Sequence, residues 1–215
     1  MHIDIDIEEI THAFPRRLPV FPLSSAVLLP GAVLPLHIFE PRYREMVTDM
    51  LAAESLVAMA YLESCEPEIY QTRPPFRKTV CVGRLLHHEA LKNGRSNIAL
   101  LGIAAGFASE IRDDHAYMTA EVTLREDALD GEVDCSDALA RAFQASGAAE
   151  PPLADLRERL LPIAGSEGIT AALINNCALA APIRATEKQG LLEESDVLTR
   201  LDMLVRLLER PWQWN

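Results

Sequence analysis

Cysteine is scarce in this chain of 215 residues, and its four copies lie far apart. No two of them form a C-x-x-C motif, and none forms a closely spaced pair with a histidine. The sequence therefore predicts neither a zinc site nor a disulfide framework. We expect free, buried thiols in a reducing compartment, which favours the cytoplasm. The four residues are Cys65, Cys81, Cys135 and Cys177.

Basic residues and long apolar runs are also few. Lysine and arginine total 20 against 32 aspartates and glutamates, which gives a net charge of -12. Such a balance argues against nucleic acid as the main ligand, because binding phosphates requires a basic surface. No apolar tract approaches the ~20 residues of a membrane-spanning helix, and residues 1–10 carry acidic side chains where a signal peptide carries basic ones. We therefore expect a cytoplasmic protein that does not bind membranes.

The pattern of apolar residues divides the chain into two parts. Residues 1–126 contain short apolar runs between turn signals, which predict strands, and one helix that begins at Glu40. Residues 127–215 show helical spacing, most clearly at 197–208, where Leu198 is among the residues expected on the buried face. The sequence thus predicts an α+β fold. An antiparallel β-barrel or sheet with one inserted helix should occupy residues 1–126, and a helical bundle should follow over residues 127–215.

Proline, glycine and capping residues predict several boundaries between elements. The run Leu18–Leu23 contains two prolines that cannot donate to a β-ladder, so this strand should lie at a sheet edge or have one free side. Asn93 and Gly94 favour a hairpin turn, because both tolerate positive φ values. Pro162 should end a helix. Thr186–Gln189 has the sequence of a capping box and should begin another helix.

Residues 18–47 contain the most specific motif in the chain. Their sequence is LPVFPLSSAVLLPGAVLPLHIFEPRYREMV, and it closely resembles the start of the Lon protease N-terminal domain. That family opens with an apolar strand, a Pro-Gly turn and the run that corresponds here to Pro35–Tyr43. Two weaker similarities keep the family's order, at the turn Asn93–Arg95 and over Lys188–Leu201. Together they cover nearly the whole chain.

The resemblance implies a PUA-like β lobe followed by a helical bundle, a module that helps the full protease to select protein substrates and that also occurs alone. Full Lon proteases add an ATPase and a Ser/Lys peptidase. The chain contains no G-x-x-x-x-G-K-[ST] phosphate loop, and none of its lysines lies in a recognisable dyad. We therefore expect a stand-alone, non-catalytic module without a cofactor. Its partner should be unfolded or partly folded polypeptide, with a separate protease or chaperone as a further candidate.

Six residues are candidates for the binding site. Val20, Phe21 and Leu23 belong to an apolar segment whose prolines keep it out of the centre of a sheet, so some of its surface should be accessible. The alternative is that all three are core residues. The remaining candidates are Glu40, Arg42 and Tyr43, of which Arg42 either binds a substrate carboxylate or pairs with Glu40. The expected mechanism is capture of an apolar peptide in a groove between the two parts, aided by pairing with an edge strand.

The alternative function is that of a PUA-like protein which binds RNA or a small molecule. RNA binding requires basic residues beside exposed aromatic rings. One cluster has this composition, formed by Arg73, Phe76, Arg77 and Lys78. The identity of the ligand and the oligomeric state stay open.

Two other features have structural interpretations. His87 and His88 are neighbours on a predicted strand and point to opposite faces, so a shared metal would require His37 or His115 from elsewhere. We predict no metal site. Trp212 and Trp214 lie at the end of the chain, where they either dock on their own domain or form a binding hot spot.

Overall fold

The computed structural model describes residues 12, 14, 16–70, 72–111, 115–129, 133–149 and 151–210. The chain divides into two compact units, residues 1–125 and residues 126–215. The β-strands of the described part belong to the first unit, and its last four helices belong to the second. The predicted α+β class, with strands before helices, is confirmed. Trp212 and Trp214 lie outside the described residues.

The first unit contains a six-stranded sheet and the helix that the sequence predicted. The helix α1 spans Pro41–Ala52, and the short helix α2 spans Pro67–Tyr70. The strands are β1 (Arg16–Leu23), β2 (Val33–Ile38), β3 (Leu56–Leu62), β4 (Phe76–Ala90), β5 (Ser96–Ile111) and β6 (Met118–Leu124).

The sheet closes on itself. Its strand order is β2-β5-β4-β3-β1-β6, and β5 also pairs with β6. Strands β1, β3, β4, β5 and β6 therefore form a closed barrel, while β2 lies outside this ring and pairs with residues 96–101 of β5. One pair is parallel, β1 with β3, which the prediction of an antiparallel sheet missed. Parallel neighbours need a crossover connection, and β2 with α1 supplies it.

The barrel interior is filled by every second residue of several strands. Side chains alternate between the two faces of a strand, and the inward set here is apolar. Removing this surface from water stabilises the fold by ~25 cal/mol per Å². The buried cluster consists of Leu18, Val20, Leu56, Ala58, Ala60, Val80, Val82, Ala108, Met118, Ala120 and Val122.

The prolines of β1 lie where the strand has one partner. Pro19 lies opposite Thr119 of β6, and Pro22 lies opposite Ala60 of β3. The partner changes at Val20, so within the described residues each half of β1 has one side without a neighbouring strand. The strand is therefore not a sheet edge, and the second of the two predicted alternatives is confirmed.

The turn before β2 is held against β5 by backbone hydrogen bonds. The Gly31 N–H donates to the Gly102 carbonyl at 2.8 Å, and the Gly102 N–H donates to the Ala32 carbonyl at 2.9 Å. A Cβ at position 102 would lie 2.2 Å from the Leu29 carbonyl oxygen. Only glycine allows this approach, which fixes where β2 begins its pairing with β5.

The predicted hairpin turn is confirmed. Asn93 has a φ of 65° and Gly94 a φ of 71°, and both values lie in the left-handed region that this class of turn requires. The Leu91 N–H donates to the Arg95 carbonyl at 2.8 Å and closes the loop between β4 and β5.

The second unit contains the helices α3 (Ser136–Ser146), α4 (Leu153–Ala180), α5 (Ala185–Glu193) and α6 (Val197–Glu209). The prediction that Pro162 ends a helix is wrong, because α4 continues through it. Pro162 is exposed, so water can solvate the carbonyl that loses its helical hydrogen bond. Within the described residues, none of the helices has the length and apolarity needed to cross a bilayer.

Helix α5 begins earlier than the predicted capping box at Thr186–Gln189. Its N-cap residue is Arg184, whose backbone N–H and guanidinium both donate to the Glu187 carboxylate at 2.8 Å. Arg210 donates to the same carboxylate at 2.6 Å. Burial raises the pKa of Glu187, but the hydrogen bonds from both arginines outweigh it and lower that pKa to about 2.

Helix α6 buries a charged residue that the apolar pattern did not predict. Arg200 is 1% exposed, and its guanidinium forms two hydrogen bonds with the Asp127 carboxylate at 2.6 and 2.8 Å. It also donates to Asn175 Oδ1 at 3.1 Å and to the Glu194 carbonyl at 2.6 Å. The prediction that Leu198 is buried is wrong, since Leu198 is 43% exposed.

We expect Gly102→Ala to destabilise the protein strongly, because its methyl group would overlap the Leu29 carbonyl. Gly190→Ala is the matched control. A Cβ at Gly190 in α5 meets only the end of the Met203 side chain, at 4.0 Å, and alanine improves helix propensity by about 1 kcal/mol. Thermal melts should show a lower midpoint for the first variant and an equal or higher midpoint for the second. Equal midpoints would contradict the proposed close approach.

We expect Arg200→Met to lower the free energy of unfolding by about 3 kcal/mol, because it removes both arginine hydrogen bonds from the partly buried Asp127 carboxylate. Arg206→Met on the same helix is the control. Arg206 is exposed, and its loss should change stability by no more than about 0.5 kcal/mol. Urea unfolding of both variants measures the difference, and similar values for the two would argue against a stabilising role of Arg200.

Candidate functional site

A groove of about 520 Å³ lies in the first unit, where β1 and β2 end. Its lining is mostly apolar and aromatic, with a few polar groups at one side, which is the usual composition of a binding site. We call it the apolar groove. Its lining residues are Phe21, Pro22, Leu23, Ser24, Ser25, Leu36, His37, Ile38, Phe39, Glu40, Tyr43, Leu62 and Tyr70.

The strands beside the apolar groove have backbone edges without a neighbouring strand. In the described part of the chain, β2 pairs only with β5. The end of β1, residues Phe21–Leu23, pairs only with β3. Unpaired edges offer N–H and C=O groups to an added strand. The groove therefore combines apolar surface with main-chain hydrogen-bonding groups.

Phe39 is the most exposed large apolar side chain of the apolar groove, with 57% of its surface accessible. Its ring stacks on His37, with centroids 6.2 Å apart and an interplanar angle of 20°. Sequence reasoning missed Phe39, although a signal was present. In the sequence, Leu34, Leu36 and Ile38 alternate with Pro35 and His37, so the alternation along β2 predicts an outward-facing residue 39.

A cluster of polar residues forms the other side of the apolar groove. The Arg42 guanidinium lies 3.0 Å from the Glu40 carboxylate and donates to the Tyr70 carbonyl at 2.8 Å. The Tyr70 hydroxyl donates to Glu40 at 2.7 Å. Arg42 also lies over the rings of Tyr43 and Tyr70, 4.6 Å from each centroid. These contacts hold α2 against the start of α1 and give Arg42 a positioning role.

Tyr43 forms part of the floor of the apolar groove. It is 3% exposed, and its ring packs against Phe21 with centroids 4.5 Å apart. Its hydroxyl has no hydrogen bond of normal geometry among the described residues. Burial raises the pKa of Tyr43 well above its ordinary value, with smaller contributions from Tyr70 and Glu40. The side chain is therefore a neutral phenol.

The structure brings together most of the residues predicted for binding, but in other roles than expected. Phe21, Leu23, Glu40 and Tyr43 line the apolar groove, while Val20 is fully buried in the barrel core. The two alternatives for this segment were accessible surface or burial of all three residues, and burial holds for Val20 in the barrel core and for Phe21 on the opposite face against Tyr43, while Leu23 is half-buried. Exposed apolar surface lies instead at Phe39.

The cluster considered for RNA binding does not present an aromatic platform. Phe76 packs against the buried barrel cluster. Arg77 forms an ion pair with Glu63 at 3.1 Å. An RNA-binding surface would need the ring exposed for stacking on bases, so these contacts do not favour the RNA alternative.

Comparison with known protein families shows to which family this chain belongs. Residues 17–210 match the substrate-binding domain of the ATP-dependent protease La (Lon). The chain therefore belongs to the Lon substrate-binding domain family, as the motif at residues 18–47 predicted.

The curated relatives are much longer proteins. The chain is 23% identical to Lon protease of Parabacteroides distasonis, over 98% of this chain and 26% of that protein. It is 26% identical to Lon protease of Anaeromyxobacter dehalogenans, over 91% of this chain and 23% of that protein. The chain thus spans about a quarter of the length of these relatives.

Solved structures share the fold. The Lon N-terminal domain protein from Xanthomonas campestris aligns with a TM-score of 0.61 at 24% identity, covering 89% of this chain and 98% of that one. The N-terminal domain of Lon protease from the Mycobacterium avium complex aligns with a TM-score of 0.61 at 19% identity, covering 92% and 100% of the two chains.

We expect Tyr43→Phe to leave stability unchanged or to raise it, because the change removes a buried hydroxyl that lacks a normal hydrogen bond. Tyr117→Phe is the matched control, since the Tyr117 hydroxyl donates to Asp49 at 2.7 Å. Its loss should lower the free energy of unfolding by about 1 kcal/mol. Urea titrations compare the two, and a larger loss in Tyr43→Phe would mean that its hydroxyl has a stabilising partner.

Proposed function

We propose that this chain binds exposed apolar segments of unfolded or partly folded polypeptides in the apolar groove. The observation behind the proposal is the placement of Phe39, a half-exposed aromatic side chain, beside strand edges that have no partner strand among the described residues. An extended peptide can add its backbone to such an edge and place alternate side chains in an adjoining pocket. Membership of the Lon substrate-binding domain family supports a role in substrate recognition.

The shape of the apolar groove favours extended chains over folded surfaces. Its apolar part lies between the ends of β1 and β2, and its floor is the packed pair Phe21 and Tyr43. A folded protein buries its large apolar side chains and pairs its strands internally. An unfolded segment offers both together, so the groove should discriminate between the two states of the same protein.

The polar side of the apolar groove supports non-covalent binding and not catalysis. Glu40, Arg42 and Tyr70 are engaged with one another at hydrogen-bonding distance. Burial, followed by the hydrogen bond to Glu40, raises the pKa of Tyr70 and keeps its hydroxyl protonated as a donor. We infer that the chain acts by recognition and not by catalysis, in the cytoplasm, where its four free cysteines would stay reduced. A protease or chaperone would then receive the bound client.

The test is binding of a reduced and alkylated globular protein, which cannot refold, compared with the native form of the same protein. We expect Phe39→Asp to weaken binding of the unfolded form at least tenfold, because loss of a central aromatic anchor costs upwards of ~1.4 kcal/mol. Fluorescence anisotropy measures the affinity. Phe39 is 57% exposed, so the change should leave the melting temperature almost unchanged.

Phe107→Asp is the matched control for this experiment. Phe107 is 51% exposed on β5 and does not line the apolar groove. The Phe107→Asp variant should bind the unfolded protein with the affinity of the unmodified chain. The proposal fails if Phe39→Asp binds normally, if both variants weaken binding equally, or if the unmodified chain binds native and unfolded protein alike.

A further inference from the structure

A cluster of potential metal ligands lies apart from the apolar groove, in the same unit. Glu45 and Asp49 are four residues apart on α1, and so share one face of the helix. His115 comes from the segment that leads into β6. One ligand atom from each of the three lies within 4.8 Å of the others.

Tyr117 fixes two of these side chains in place. Its hydroxyl donates to Asp49 Oδ2 at 2.7 Å, and its ring stacks on His115 with centroids 4.8 Å apart and an interplanar angle of 21°. Tyr117 itself is buried, with 5% exposure. Metal ligands are commonly oriented by such outer partners, which reduce the cost of arranging them around an ion.

Two of the three ligand side chains, Glu45 and Asp49, are carboxylates on one face of α1. Like charges four residues apart on a helix destabilise it by roughly 0.2–0.5 kcal/mol, and Glu45 has no ion pair or hydrogen bond among the described residues. His115 Nδ1 lies 4.0 Å from Asp49 Oδ2, which is too long for a hydrogen bond. A cation between the three side chains would relieve the repulsion.

The space beside the cluster allows an ion to complete its coordination. Asp49, His115 and Tyr117 line a cavity of about 500 Å³ that shares no residue with the apolar groove. Three protein ligands with an accessible remaining position are typical of open zinc sites. Tetrahedral ligands at ~2.1 Å from zinc lie about 3.4 Å apart, so the side chains must close slightly. Glu45 is exposed and can rotate to do so.

We propose that Glu45, Asp49 and His115 bind one divalent transition-metal ion of the zinc class. A mixed set of imidazole and carboxylate donors suits zinc, whereas magnesium and calcium prefer oxygen ligands alone. The ion links the middle of α1 to the segment that leads into β6. Sequence reasoning missed this site, because the sequence suggested His115 only as a metal partner for His87 and His88. The ligands of the proposed site lie up to about 70 residues apart along the chain.

The test measures zinc affinity by competition with a chromophoric chelator, with Cys65→Ser in every protein so that the half-buried thiol does not compete. We expect one ion per chain in this background. His115→Ala and Glu45→Gln should each weaken zinc binding tenfold or more. A hundredfold excess of magnesium should not displace the zinc.

His87→Ala is the matched control, because His87 is an exposed imidazole on β4 that is not part of the cluster. The His87→Ala variant should bind zinc with the affinity of the Cys65→Ser parent. Glu45→Gln changes an exposed side chain and keeps the fold, so it decides the question even if His115→Ala is unstable. Parent-like affinity in Glu45→Gln, an equal loss in His87→Ala, or displacement by magnesium would overturn the proposal.

Discussion

The close approach of the turn at Gly31 to Gly102 is the constraint on which the apolar groove depends. Two backbone hydrogen bonds join the turn to β5, at 2.8 and 2.9 Å. They fix the point from which β2 pairs with β5, and the register then runs from Val33 opposite Leu101 to Ile38 opposite Ser96. A shift of one residue would exchange the two faces of β2. The outward position of Phe39 follows from this register.

The family motif at residues 35–43 forms the structure around the apolar groove. Its first half is the end of β2, and its second half begins α1. Glu40 is the N-cap residue of that helix, followed by Pro41 at the first helical position, where proline costs little because its missing N–H would be unpaired anyway. Arg42 then holds α2 in place through Tyr70. The residues of the motif therefore have roles in architecture and positioning.

Helix α1 connects the two sites that we propose. Its first turn contributes Tyr43 to the apolar groove, and its next two turns carry Glu45 and Asp49. The interior face of the helix is apolar throughout, with Met46 and Met50 buried. An ion held at the middle of α1 would restrain the helix whose start forms the floor of the groove. The two functions are separable, because the cavities share no lining residue.

Much of this protein follows from local sequence. Alternating apolar residues predict the strands and periodic leucines predict the last helix, because these patterns reflect which side of an element is buried. The turn at Asn93 follows from the few residues that accept positive φ values. The motif at residues 18–47 places the chain in its family without any structure.

Other features depend on residues that meet only in the folded chain. The parallel pairing of β1 with β3, the burial of Arg200 beside Asp127 and the approach of His115 to Asp49 join residues roughly 40 to 75 positions apart. The continuation of α4 through Pro162 is also decided by the folded chain, since the cost of the proline depends on whether water reaches the carbonyl it leaves unpaired. Local sequence determines which conformations a segment prefers. The tertiary structure decides which distant groups become neighbours, because hydrogen bonds and charge pairs take their energy from partners that no single segment contains.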